Sequence, residues 1–392
     1  MRRPLNICLV SQELPPYTNW GGIGIYTRAQ ADGYAYRGHR VTVISRCAPG
    51  SPRVEVANLG YKVYRIGVPI SRKRFIGRTL DRILHARAVA SLVRGLNREQ
   101  QFDILEAPEG TLEGEVLLND PRIAHRMVIM CHGGNTQNIP PSGPLAFLHH
   151  LDLRWSLSRE INGLRLAPQV IVPSEATRMV LLKQGLDSEK IKVVPHGIDT
   201  EKFQPWSKPK TGRLDVGFAG RLQESKGIDF IWRVVEKLGP EAGVRFHLKG
   251  AVHWQSRLEA MTRLERHSDF VVHHEPGPHE DMPNFYHSLD VLLQPSRFES
   301  FGLVYAEAMA AGLLVFAGVA GSAPEIVKDG KTGFLVNPDG PVDSVVKKLR
   351  IMVDDNRAFT DIRRAARRDM EKRFSTDKWI ENKLALYREF LV

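Results

Sequence analysis

Two patterns of hydrophobic positions alternate along this chain. Short unbroken apolar runs, of the kind a strand buried on both faces requires, are followed by stretches whose apolar residues return every three or four positions. Leu5 to Val10 is the first run. Glu13 to Gly24, rich in Pro and Gly, reads as a loop, and Ile25 to Arg37 as a helix capped by Gly38. Val41 to Ser45, Ile104 to Glu106, Met127 to Met130 and Val170 to Val172 are predicted strands of the same sheet. The pattern restarts in the second half. Leu214 to Ala219, Val244 to Lys249, Val271 with Val272, Val291 to Leu293 and Leu313 to Ala317 are predicted strands, and Gly227 to Leu238 and Gln255 to Arg266 are predicted helices. Strands alternating with helices predict parallel sheets covered on both faces. The fold class is therefore α/β, with two doubly wound, Rossmann-like domains joined near residue 200. The Pro- and Lys-rich stretch Pro205 to Gly212 is the linker. Ligands of such sheets bind at the carboxyl ends of the strands, so a cleft between the domains is the expected site.

Composition narrows the class without changing this picture. The 392 residues, 42% hydrophobic and 25% charged, exclude a disordered, collagen-like or disulfide-stapled chain. Cys8, Cys47 and Cys131 are too few and too far apart for a disulfide framework or a zinc site, which points to a reducing, cytoplasmic home. The apolar run behind Arg2 and Arg3 is too short for a secretory signal. Leu303 to Ala320 has the length of a membrane span but carries Glu307 and Gly312, and reads as a helix turning into a buried strand.

The net charge of +11 is uneven. Residues 1–200 hold 26 Lys+Arg against 17 Asp+Glu, whereas residues 201–392 hold 29 against 27. Residues 71–98 alone carry Arg72, Lys73, Arg74, Arg78, Arg82, Arg87, Arg94 and Arg98 against Asp81. Such a face attracts nucleic acid, anionic lipid or an acidic substrate.

Four constellations carry candidate chemistry. The first runs from Asp290 through Pro295-Ser296 to Glu299 and Glu307. Eight helical residues would set the two carboxylates on the order of 12 Å apart. That suits the two ends of an extended ligand rather than a catalytic dyad, whose members stand about 5 Å apart in retaining hydrolases. The second is Gly220-Arg221, then Lys226-Gly227, two cations between a strand end and a helix start, where a phosphate is readily held. The third is Gly21-Gly22-Ile23-Gly24, whose backbone amides suit a phosphate. Its spacing from the first strand is not that of a dinucleotide fingerprint. The fourth is Cys131-His132-Gly133-Gly134, directly behind a strand. Gly330-Lys331-Thr332 is no phosphate loop, because Glu325 stands where its first glycine belongs. No Asp-x-Asp occurs in the chain, and neither His149-His150 nor His273-His274 has a zinc signature around it.

In order and spacing these motifs resemble family 4 of the retaining, nucleotide-sugar-dependent glycosyltransferases, which have the GT-B fold. The resemblance covers nearly the whole chain and includes His196-Gly197-Ile198-Asp199 at the hinge, Gly312, and Gly321 to Val336. It implies that residues 1–200 face the acceptor, that residues 201–375 bind the nucleotide sugar, and that the last helix, within 376–392, crosses back. It implies that Glu299 bonds the donor sugar's hydroxyls and Glu307 the ribose. Arg221 and Lys226 would bind the diphosphate, Gly22 would approach it, and the amides of Phe301, Gly302 and Leu303 would help. His132 would stand near the sugar, and His274 and Glu275 near the base. UDP-glucose is the first expectation for the donor and GDP-mannose the second. No cofactor and no metal is expected. A role in polysaccharide biosynthesis, with a glycan or lipid-linked acceptor, follows from the same resemblance. The charge placement, with Phe75, Ile76, Leu80, Ile83 and Leu84 among the basic residues of 71–98, points to a lipid-linked or otherwise anionic acceptor met at the inner membrane face. Among rivals, another GT-B enzyme (a sugar epimerase or a phosphorylase) stands closest. A nicotinamide-dependent oxidoreductase lacks its glycine fingerprint. A nucleic-acid binder lacks aromatics among its basic residues beyond Phe75.

Overall fold

The computed structural model describes residues 3–18, 22–67, 78–109, 112–133, 146–206, 212–252 and 257–391. The chain forms two compact units. Unit 1 is Met1–Pro195 with Trp379–Val392, and unit 2 is His196–Lys378. Gly21, Gly134, Arg72 to Arg74, Phe75, Ile76 and most of the linker lie outside the described residues.

Unit 1 is built on an eight-stranded sheet. Its strands are β1 (Asn6–Val10), β2 (Arg40–Arg46), β3 (Val54–Val56), β4 (Lys62–Ile66), β5 (Ile104–Pro108), β6 (Met127–Met130), β7 (Gln169–Val172) and β8 (Ile191–Val193). Their order is β3-β4-β2-β1-β5-β6-β7-β8, and every pair is parallel except β3 with β4. The central strands β5, β6 and β7 are buried from end to end, as parallel strands covered on both faces are. The short edge hairpin of β3 and β4 has no such run, and its strands were not predicted.

Unit 2 holds a six-stranded sheet of β9 (Leu214–Ala219), β10 (Val244–Lys249), β11 (Val271–His274), β12 (Val291–Gln294), β13 (Leu314–Gly318) and β14 (Phe334–Val336). The order is β11-β10-β9-β12-β13-β14, parallel throughout. Apolar clusters fill both faces, one around Phe218, Phe230 and Phe246, the other around Tyr286, Tyr305 and Met309. Inside this unit the two chain crossings run side by side. The Ile198 amide donates to the Phe374 carbonyl at 2.8 Å, and the Thr376 amide to the Ile198 carbonyl at 2.9 Å.

One expectation is corrected. Gly22 and Gly24 are not in a loop, because the helix begins at Gly22 and runs to Tyr36. A side chain at Gly24 would meet Cβ of Glu13 at 3.0 Å, so its glycine serves close packing of a helix turn on the preceding loop.

The last helix, Thr376–Phe390, packs in unit 1 from Trp379 onward. Trp379, Ile380, Leu384 and Tyr387 join the apolar cluster, and Ile380 presses on Gly33. A buried polar network runs through the same packing. Glu106 of β5 accepts from Lys383 and Tyr387, and its other oxygen accepts from Gln30 at 3.0 Å. Lys383 and Glu106 are both buried, and burial pulls the lysine below its ordinary pKa while Glu106 opposes that pull. Removing one partner leaves an uncompensated buried charge, which costs about 3–5 kcal/mol. Lys383→Ala is therefore expected to destabilise unit 1 by about that amount in urea unfolding. The double substitution Lys383→Met with Glu106→Gln is expected to recover most of the loss, because it removes both charges together.

Candidate active site

The carboxyl ends of the unit 2 strands bring the two sharpest sequence motifs together. Lys226 ends a short 3₁₀ turn, Glu224–Lys226, behind β9, and Glu299 follows β12. The Lys226 Nζ donates to Glu299 Oε1 at 2.8 Å, and the Ser296 hydroxyl donates to the same oxygen at 2.9 Å. Gln294 prepares this arrangement. Its side-chain Oε1 accepts from the Ala219 amide at 3.2 Å, and its Nε2 donates to Ser296 Oγ at 3.2 Å. The resemblance assigns Lys226 to the diphosphate and Glu299 to the sugar. The structure joins them in one partly exposed ion pair.

The loops meet backbone to backbone. Gly227, at φ +77°, leaves no room for a side chain, because a Cβ there would stand 2.1 Å from the Pro295 carbonyl oxygen. A Cβ at Gly318 would stand 1.9 Å from the Ser296 carbonyl oxygen. Arg221 follows Gly220 at the end of β9 and is exposed. Phe301 is buried, edge-on to His196 at 5.1 Å and Phe374 at 5.7 Å, so its ring is core and only its backbone faces the loop. Gly302, at φ +84°, caps the helix Leu303–Ala310. The first amides of that helix have no carbonyl within it to donate to and carry its positive dipole end.

Glu307 lies inside the same helix and is buried. Two donors hold it. Tyr286 donates to Oε2 at 2.9 Å, and His279 lies 2.7 Å from Oε1. A carboxylate only accepts, so His279 carries its proton on Nε2. Burial and the Glu307 charge raise the Tyr286 phenol well above its ordinary pKa, which keeps it a donor. Neither partner was legible beforehand, since both stand more than 20 residues away on other elements.

The two residues expected near the base differ. His274 stacks on His247 at 5.3 Å and shares a 3.0 Å hydrogen bond with it, and His247 in turn donates to Asp215 at 2.8 Å. Burial, then the neighbouring His247, lowers the His274 pKa. Glu275 has an 85% exposed side chain, 3.9 Å from His273.

His132 and Gly22 belong to unit 1. Gly22 starts its helix and is exposed. The amides of His132 and Gly133 donate to the buried Glu109 at 2.7 and 2.8 Å, which pins the loop behind β6. The His132 ring packs edge-on against Tyr26 at 4.8 Å. Burial pushes its pKa down to about 4, with Lys383 pushing the same way and Glu106 opposing. His132 is thus a neutral imidazole near neutral pH.

Comparison with known proteins gives a consistent answer. Residues 20–202 match the family profile described as Glycosyltransferase Family 4, and residues 199–369 that of Glycosyl transferases group 1. The chain is 28% identical to the D-inositol 3-phosphate glycosyltransferase of Arthrobacter sp., over 90% of this chain and 87% of that one. It is 32% identical to the sulfoquinovosyl transferase SQD2 of Arabidopsis thaliana, over 56% of this chain and 44% of the relative. The fold matches sucrose-phosphate synthase from Thermosynechococcus elongatus with a TM-score of 0.81 and 20% identity, covering 99% of both chains. It also matches the catalytic domain of starch synthase IV from Arabidopsis thaliana, bound to ADP and acarbose, with a TM-score of 0.76 and 17% identity over 99% of this chain and 100% of that one.

The neutral histidines set a pH dependence. His85, buried on the helix Arg78–Gln100, is also pushed down to about 4, by burial and then by Arg46. Between about 4 and 6.5 the unfolded imidazoles bind protons that the folded ones do not, so stability rises with pH across that window and is lost as pH falls through it. The urea midpoint is expected to drop between about pH 7 and about pH 5, and His85→Gln to reduce that drop.

Proposed function

The chain belongs to the family 4 glycosyltransferases, enzymes of the GT-B fold, and on that premise we propose that it moves a hexose from a nucleotide diphosphate sugar to a glycan or lipid-linked acceptor, with retention at the anomeric carbon. The observation that carries the donor reading is the Lys226–Glu299–Ser296 cluster beside the helix start at Gly302. It sets a cation, an oriented carboxylate and free helix amides on one strand edge. Those are the groups that a sugar diphosphate presents charge and hydroxyls to.

In this reading Glu307, held by His279 and Tyr286, accepts from the ribose hydroxyls, and Glu299 from hydroxyls of the transferred sugar. Lys226, the exposed Arg221 and the first amides of Leu303–Ala310 neutralise charge as it grows on the leaving diphosphate. His274 lies toward the base. Glu299 Oε1 already accepts from two donors. That favours a binding role over attack on the anomeric carbon, and so supports front-face transfer, with the leaving phosphate taking the acceptor's proton. No metal takes part in this scheme. UDP-glucose is the first choice of donor and GDP-mannose the second. The structural neighbour HepE from Anabaena, which matches with a TM-score of 0.70 and 20% identity over 97% of this chain and 100% of that one, was solved with UDP-glucose. Thermal-shift screening against nucleotide sugars and free nucleotides tests the donor, since a bound ligand raises the melting temperature.

Glu307→Ala is expected to raise the donor KM and leave kcat nearly unchanged, because ribose contacts are made equally in the ground and transition states. Lys226→Ala and Arg221→Ala are each expected to lower kcat by about a hundredfold to a thousandfold. EDTA is expected to leave activity intact, and its abolition with rescue by magnesium or manganese would transfer the charge-neutralising role to a metal.

For the acceptor, we propose an anionic or lipid-linked molecule met at a membrane surface by the basic helix of unit 1. Ile83 joins the core, but Leu80 and Leu84 are 52% and 43% exposed on the same helix, beside its arginines. No described helix is long and apolar enough to cross a membrane, so attachment would be at the surface. Flotation with liposomes of rising anionic content at low salt should carry the protein upward, and Leu84→Asp should reduce it. Failure to float at every composition would favour a soluble sugar acceptor.

A further inference from the structure

Arg297 lies between Ser296 and Glu299, where a cation for the donor phosphate would be sought. Its hydrogen bonds exclude that use. A guanidinium has five N–H donors. Nε and Nη2 donate to Asp339 at 3.1 and 2.7 Å. Nη1 and Nη2 donate to Asp229 at 2.7 and 2.8 Å. The remaining Nη1 proton goes to the Glu224 carbonyl. All five are engaged, so none is left for a ligand.

One of those bonds, to the Glu224 carbonyl, reaches the Lys226 turn. Glu224 opens the turn that ends at Lys226, and the Arg297 backbone amide donates to the next carbonyl, Ser225, at 3.0 Å. Arg297 therefore grips both residues ahead of Lys226. Its own anchors are fixed in turn. Asp229 sits in the first turn of the helix Ile228–Leu238, and Arg233 of that helix holds the carbonyls of Pro338, and of Gly340 at 2.8 Å, on either side of Asp339. Arg297, Asp229 and Asp339 are all partly exposed, so the cluster adds little net stability. Its effect is on position.

We propose that Arg297 is a positioning residue for the transfer reaction, which holds the Lys226 turn at the distance from Glu299 that donor chemistry requires. The proposal rests on the reading of Lys226 as the diphosphate cation. A displacement of about 1 Å at a reacting site costs up to about a hundredfold in rate.

The test is a double-substitution cycle on the full chain, reading release of nucleoside diphosphate from UDP-glucose, or from whichever nucleotide sugar the thermal-shift panel selects. Arg297→Ala is expected to lower kcat by about a hundredfold with a small change in melting temperature, and Arg297→Lys to recover part of the loss. The double variant with Lys226→Ala should be no slower than Lys226→Ala alone, because the clamp acts through that lysine. If the two losses multiply, or if Arg297→Ala turns over normally, the positioning role is overturned. If Lys226→Ala itself turns over normally, the donor-site reading falls first and the clamp with it. Should Arg297→Ala fail to fold, Asp339→Asn, which leaves the Asp229 fork in place, should give a smaller loss that again disappears in the Lys226→Ala background.

Discussion

The second unit depends on how closely loop backbones approach one another at the carboxyl edge of its sheet. Gly227 lies against the Pro295 carbonyl and Gly318 against that of Ser296, at separations no Cβ would permit. Parallel strands deliver these loops to one edge, but delivery alone leaves side-chain lengths between them. The glycines close that gap. Only then can the Lys226 ammonium reach Glu299. The chemistry of the site is thus set by main-chain packing, and the charged groups that draw attention come second.

Unit 1 has a different physical basis. Two of the carboxylates buried within it, Glu106 and Glu109, are each provided with donors. Glu106 has Lys383, Tyr387 and Gln30, and Glu109 has two backbone amides. A buried polar network of this kind is costly unless complete, and when complete it admits one arrangement. It fixes the register of the helix Thr376–Phe390, since sliding that helix would strand both Lys383 and Glu106.

Much of this was legible in the sequence where the signal is local. Strands such as Met127–Met130 are legible because a buried parallel strand is apolar without interruption. The motif from Pro295 to Glu307 was legible because its turn and helix lie within a dozen residues. What escaped was long-range. Lys226 meets Glu299 across 73 residues, and Lys383 meets Glu106 across 277, and no periodicity encodes such pairs. His279 and Tyr286 were missed for the same reason. The helix start at Gly22 is not legible because glycine's poor intrinsic propensity suggests a loop, whereas Gly24 in its first turn serves tight packing on Glu13.

The grip on Glu307 has a consequence for the pentose proposed to bind there. A carboxylate offers about four acceptor sites. Tyr286 takes one on Oε2 and His279 one on Oε1, so each oxygen keeps a lone pair. Two acceptors side by side on one rigid group match a vicinal diol. In the proposed site a ribonucleotide fills both, whereas a 2′-deoxynucleotide leaves one lone pair of a buried charge without a donor, a deficit of about 1–3 kcal/mol. The same two side chains that keep Glu307 in place would thereby select ribonucleotides over deoxyribonucleotides.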